Sequence, residues 1–408
     1  MAFAPRAAPA NADEFMSRAT RRVLLVTLPY GGFGRAFAGA LRHGGAEVAH
    51  MVFNAGDLVD RRGPGAIVFR DAPEAWPQRY QALAEGFTDV VIYGEGRWPT
   101  SPVRRPRGAP GPRLWILENG YFRPDWVTLE QGGVAADTAL PGTAAAYREL
   151  TAAEPPFEPV GPVTRPLVVA VSRYWLADFL LRPLFPRHRS GFDVPPWRQC
   201  AGHLVRFLRQ RLRGPVRLDR IAAAGPFVLV CLQREGDGQL LRHSDLRSNA
   251  AFLAAVMDDF AAHAPADLRL VVKNHPLDPG VIDQRADTRR LAAARGLSTR
   301  VDYIDGGTMA PLCRASRGLV VNNSSAALAA LGFGTPVKVL GRAFFDFEGL
   351  THQGPLSEFW TRPTRPDDDL FRRFRAEVIT RTQINGNFES PRWRARTAEN
   401  VARIILGS

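Results

Sequence analysis

The feature that most constrains this chain is a recurring pattern of short, wholly apolar runs, each giving way to a polar or glycine-rich turn and then to helical sequence. Val23-Leu24-Leu25-Val26-Thr27-Leu28 leads into Pro29-Tyr30-Gly31-Gly32-Phe33-Gly34 and a helix through Arg42. Val48 to Phe53, Asp89 to Tyr93 and Arg113 to Leu117 supply further strands. A second series follows at Phe227 to Leu232, Leu268 to Val272, Val301 to Ile304, Gly318 to Val321 and Val337 to Leu340. Runs that are apolar at successive positions have no solvent face, so they predict parallel strands buried between helices. The expected fold is therefore α/β: two Rossmann-like domains whose parallel sheets face a central cleft, with ligands at the carboxyl ends of the strands.

The length of 408 residues suits two or three domains. The expected division is a tail over 1–22, an N-terminal domain over 23–151, a basic and mostly helical connector over 152–224, a C-terminal domain over 225–389 and a closing helix over 390–408. In the connector, Trp175, Phe179 and Leu180 are interleaved with arginines. They suit either an amphipathic helix packed on the sheets or contact with an anionic membrane.

Charge and cysteine usage narrow the function. The net charge of +13 arises from 53 Lys+Arg against 40 Asp+Glu, and only Lys273 and Lys338 are lysine. An arginine skew beside abundant Ala, Gly and Pro reads first as compositional background. The basic residues look scattered and match no recognised nucleic-acid motif, so no nucleic-acid partner is expected. No run reaches the roughly 18 apolar residues of a membrane span, and Asp13 and Glu14 interrupt any secretory leader. The expected location is cytoplasmic, on the inner face of the inner membrane if peripheral. Cys200, Cys231 and Cys313 are too far apart for a zinc or disulfide framework, and no HExxH pattern occurs, so no metal is expected.

Five strand-end clusters carry chemistry. PYGGFG departs from GxGxxG, but the amides of Gly31 and Gly32, helped by Arg35, suit an anion as well as a plain tight turn. Leu117 to Glu130 puts Glu118, an αL-capable Gly120, Tyr121 and Arg123 at the rim of the cleft. Glu118 is the favoured catalytic carboxylate, as nucleophile or general base, with Asp125 and Glu130 as competitors. Lys273-Asn274-His275-Pro276 offers an ammonium, an imidazole and a rigid turn to a phosphate or base. Asn322-Asn323-Ser324-Ser325 opens a helix, where the serines serve as caps or as phosphate ligands. Lys338 lies inside a strand, where burial requires either an ion partner or a polar cleft.

In family order, from about Val23 to Trp360, these segments resemble the capsular polysaccharide biosynthesis and export family, in its single-module β-Kdo transferase branch of the KpsS/LipB type. The resemblance rests on VFNAGD (52–57), ENGYFRPDWVTLE (118–130), KNHPLD (273–278), NSSA (323–326) and PVKVLG through GLTHQG to EFW (336–360). It implies a GT-B-like fold and a retaining glycosyltransferase that moves Kdo from CMP-Kdo to a lysophospholipid and so starts the β-Kdo linker. CMP-Kdo is then the donor substrate, and no separate cofactor is implied. Donor binding would fall to Lys273, His275, Pro276, Asn323, Ser324, Ser325, Lys338 and Gln353. Acceptor or sugar binding would fall to Gly31, Gly32, Arg35, Asn54, Asp57, Tyr121 and Arg123. Many relatives carry a second acid where this chain has Asn119, and KHHP where it has KNHP. Alternatives are a non-catalytic capsule assembly or export factor, and another nucleotide-sugar transferase or epimerase of the same architecture.

Overall fold

A computed structural model describes residues 20–61, 63–96, 98–104, 108–189 and 194–407. The expected tail therefore lies almost wholly outside the described residues.

Strands β1 (Arg22–Leu25), β2 (Glu47–Val52), β3 (Ala66–Val68), β4 (Asp89–Tyr93), β5 (Arg113–Asn119) and β6 (Trp126–Gln131) build the first sheet. Strands β7 (Phe227–Cys231), β8 (Arg269–Lys273), β9 (Val301–Ile304), β10 (Gly318–Val321) and β11 (Val337–Val339) build the second. Strand β12 (Gln383–Asn385) returns to the first, giving the orders β12-β6-β5-β4-β1-β2-β3 and β11-β10-β7-β8-β9. In each half the chain starts near the middle, builds outward, then crosses to the other side of its first strand. That reversal opens a crevice at the carboxyl ends, where neighbouring connections diverge.

Both faces of both sheets are covered, which is why the strands are apolar at successive positions. Val23 and Leu25 pack into one core while Leu24 and Val26 pack into another. Phe227, Leu229 and Cys231 divide from Val228, Val230 and Leu232 in the same way. Each such side chain contributes about 1.5–3 kcal/mol by leaving water.

Two departures from the expected fold both concern the N-terminal half. The N-terminal sheet is mixed, since β5 and β6 pair antiparallel with Glu118 opposite Thr128, and β12 pairs antiparallel with β6. The segment between Asn119 and Trp126 is too short for a parallel crossover, so the chain must turn back on itself. The second departure is the domain boundary. The chain leaves the C-terminal half at β12, ahead of residue 389, and the closing helix Arg394–Gly407 packs on helix Phe33–His43 of the first half. The halves also share an aromatic seam, in which Tyr121 lies 4.6 Å from Phe344 and Tyr147 lies 5.2 Å from Phe374.

The connector is mostly helical, as expected, with helices Thr164–Leu180, Pro196–Arg213 and Leu218–Ala223. The first is pinned to the N-terminal half by Tyr174, whose hydroxyl accepts from Asn54 Nδ2 (2.8 Å) and donates to Asp57 Oδ1 (2.9 Å). Trp175 does not stand out into solvent; its ring packs against Tyr174 and Tyr30.

Candidate active site

Two adjoining cavities of about 660 and 350 Å³ lie between the halves and share Tyr121, Arg123, His275, Ser324 and Ser325. They are lobes of one cleft. The C-terminal half supplies the ends of β7, β8 and β10, and the N-terminal half supplies the turn after β5.

Lys273 ends β8 and is 4% exposed, with burial lowering its pKa and its Nζ reaching the Asn274 carbonyl at 3.5 Å. The turn beyond it is self-bracing: Asn274 Nδ2 donates to Asp278 (2.9 Å), and the His275 amide donates to Asn274 Oδ1 (2.8 Å). The Leu277 amide donates to His275 Nδ1 at 3.1 Å, which leaves the imidazole proton on Nε2. Burial, reinforced by Arg123 and Arg234, pushes the His275 pKa down to about 4. At neutral pH His275 is therefore an uncharged Nε2–H donor, while Pro276 lines the cavity beside it.

Ser324 Oγ accepts weakly from the Ala326 amide (3.3 Å), and Ser325, at the N-cap position, makes no side-chain cap bond. Capping thus employs one serine and leaves the other to the cleft. Asn323 is held by donation to the carbonyls of Gln239 and His243, with its buried Oδ1 unpaired among the described residues.

Of the three candidate acids, the structure separates one. Glu130 accepts from the Tyr121 hydroxyl (2.7 Å) and from Thr138, and Asp125 accepts from the Val160 amide (2.7 Å). Both are occupied in holding loops. Glu118 lines the cleft, and its pKa is pushed up to about 8, first by burial and then by Asp237 and Glu95, against the opposing pull of Arg123. Asn119 lies beside it and donates to the Tyr93 hydroxyl (3.1 Å). Gly120 departs from its expected role: its φ is not positive, and it is required because a Cβ there would lie 2.1 Å from the Trp126 carbonyl oxygen.

Other expected site residues lie elsewhere. Lys338 Nζ donates to the carbonyls of Gly354 (2.7 Å) and His352 (3.3 Å), so a strand lysine finds backbone acceptors rather than a cleft. Gln353 bonds Thr351 Oγ1 (2.7 Å) and Asp346 (3.3 Å), closing its own loop. Asn54 and Asp57 are buried in the tie to Tyr174, with Asp57 also paired to Arg61 at 3.0 Å. The Gly31 amide donates to Asp60 Oδ2 (2.7 Å); that carboxylate fills the position of an anion. Gly32 faces the Arg394 guanidinium, and Arg35 is exposed outside both cavities.

Several cleft residues are not evident from their local sequence. Glu95, Asp237, Gln233 and Arg234 line the lobe of Glu118, and Glu154, Arg372 and Arg375 line the other. Glu389 is 8% exposed, its pKa raised by burial and opposed by Arg123. Glu95, Asp137 and His243 bring ligand atoms within 4.8 Å of one another. Arg242 pairs with Glu95 (3.3 Å) and Asp137 (2.8 Å), and Arg104 also pairs with Asp137. Two guanidiniums already neutralise this cluster, making it an ionic clasp between the halves. The one readable signal was Glu95 beside a strand end; the rest come from loops far apart in sequence.

Residues 88–389 match the family described as capsule polysaccharide biosynthesis protein. The chain is 33% identical over 384 residues to the capsule polysaccharide modification protein LipB of Neisseria meningitidis serogroup A, covering 90% of this chain and 91% of that one. The capsule polysaccharide export protein KpsS of Escherichia coli is 31% identical over 373 residues, covering 90% and 96%. Among solved structures, the beta Kdo 2,7 transferase KpsC of Thermosulfurimonas dismutans is similar at 14% identity and a TM-score of 0.44, spanning 96% of this chain and 100% of that one. With a family match over residues 88–389 and relatives above 30% identity along 90% of its length, this chain belongs to the capsule polysaccharide biosynthesis protein family.

Proposed function

We propose that this protein is a retaining glycosyltransferase that moves Kdo from CMP-Kdo to a lysophospholipid, beginning the β-Kdo linker of a capsule. The observation that carries this reading is the opposition, across one cleft, of Glu118 and Arg123 to Lys273, His275, Ser324 and Ser325. An acid that can form or assist a glycosyl bond faces a set of cations and neutral donors suited to a nucleotide phosphate. The names of the relatives, a capsule modification and a capsule export protein, support the capsule setting.

In this reading His275 Nε2–H and the serine hydroxyls hold the CMP phosphate, and Lys273 and Arg123 balance its charge and that of the sugar carboxylate. Ionised Glu118 bonds to the anomeric carbon as the bond to the phosphate oxygen breaks, and CMP leaves with the electron pair. The acceptor hydroxyl then attacks the anomeric carbon from the face that CMP vacated; the bond to Glu118 breaks with its electron pair returning to the carboxylate, the hydroxyl proton passes to solvent, and two inversions retain configuration. The assay is purified protein with CMP-Kdo and synthetic lysophosphatidylglycerol, read by mass spectrometry for a Kdo-bearing lipid. Tight CMP binding without product would overturn the catalytic reading in favour of an assembly role.

A further inference from the structure

Thirteen of the nineteen large apolar side chains that stand exposed among the described residues fall between residues 164 and 213. Both long helices of this segment are inverted relative to an ordinary surface helix. On helix Pro196–Arg213, the side chain turned into the protein is Arg206, 8% exposed, which bonds Asp305 and the carbonyls of His275 and Pro276. The opposite stripe, Trp197, Leu204, Leu208 and Leu212, is 50–88% exposed at helical spacing. On helix Thr164–Leu180, Tyr174 and Asp178 face inward while Val168, Leu176, Phe179 and Leu180 are 56–67% exposed. Apolar patches of this extent mark an interaction surface.

Charge identifies the occupant. Residues 164–213 carry ten arginines against two acidic residues, so 50 residues supply eight of the chain's thirteen net positive charges. The excess that looks scattered along the chain is weighted toward the segment that carries these apolar stripes. Apolar stripes rimmed by cations suit the headgroup and acyl boundary of an anionic bilayer. No described helix is long and apolar enough to cross a membrane, so the contact is one of lying on the surface.

We infer that helices 164–180 and 196–213 form a docking face for an anionic lipid bilayer. One helix is pinned to each half of the cleft, the first through Tyr174 and the second through Arg206, whose bonds reach the His275 turn itself. Docking therefore holds the cleft next to the leaflet. The inference deepens the transferase reading and rests on it only for the lipid-borne acceptor.

The test is co-sedimentation of the full chain, without substrates, on vesicles of equal parts phosphatidylglycerol and phosphatidylcholine and on vesicles of phosphatidylcholine alone. The wild type pellets with the anionic vesicles, and Leu204→Ser/Leu208→Ser/Leu212→Ser lowers partitioning at least about tenfold. Arg209→Gln/Arg211→Gln/Arg213→Gln removes the preference for the anionic vesicles. Absence of vesicle binding, or binding unchanged in the leucine variant, overturns the inference. So does a dimer in sedimentation velocity that the leucine variant dissociates, since the face would then belong to a second copy. Vesicle binding without sugar transfer refutes the transferase reading alone, and transfer to a short-chain acceptor without vesicle binding refutes the docking face alone.

Discussion

Glu118 and His275 are tuned in opposite senses by one environment. Burial disfavours charge on both, so the acid keeps its proton up to about pH 8 and the imidazole stays neutral down to about pH 4. If Glu118 must ionise to attack, kcat/KM rises with pH through about 8 in a pH–rate profile. Glu118→Gln lowers kcat by about 10³-fold or more while CMP affinity by calorimetry stays within about twofold. The folded pKa lies above the ordinary 4.5, so the stability linked to this proton is full below pH 4.5 and is lost as pH rises through about 8. Glu118→Gln should flatten that part of the melting-temperature profile. Residue type and strand-end position made Glu118, Lys273 and His275 legible in the sequence. The resemblance assigned Lys338, Asn54 and Asp57 to ligand binding, but a polar residue near a strand end can turn to the cleft or to a structural partner, and only packing chooses.

The elements were legible to within three residues wherever a strand was buried on both faces. The miss at β3 is a three-residue edge strand whose short apolar run, Ala66 to Phe69, leaves Ala66 and Val68 open to water. Strands β6 and β12 were missed for a different reason: they pair antiparallel, and β12 finds its partner more than 250 residues away. Tight turns and long clamps set these elements. Gly120→Val drives a side chain into the Trp126 carbonyl and should cost about 3 kcal/mol or more in urea unfolding, parting β5 from β6. Arg206→Ala leaves Asp305 and three turn carbonyls, those of His275, Pro276 and Asp278, without their donor. A loss of about 3 kcal/mol in stability and weaker CMP binding are expected, and Arg206→Lys does not rescue them, since an ammonium cannot replace the planar fork.

At the scale of the whole molecule, the halves meet through an aromatic seam and the clasp of Arg242 on Glu95 and Asp137. The seam is apolar and insensitive to salt, whereas the clasp is ionic and partly open to solvent. Arg242→Ala should therefore raise the donor KM several-fold, with less effect on kcat, and the wild type should approach the variant as ionic strength rises. Sequence alone determined the two doubly wound sheets, because buried parallel strands must be apolar throughout, and it determined the family, because strand-end motifs keep their order along the chain. It also gave the total charge. Tertiary structure decided which acid faces the cleft, which polar residues merely hold loops, and which apolar side chains of the arginine-rich segment stand exposed. These depend on the direction in which side chains point and on partners hundreds of residues apart, and neither is written in the local order of residues.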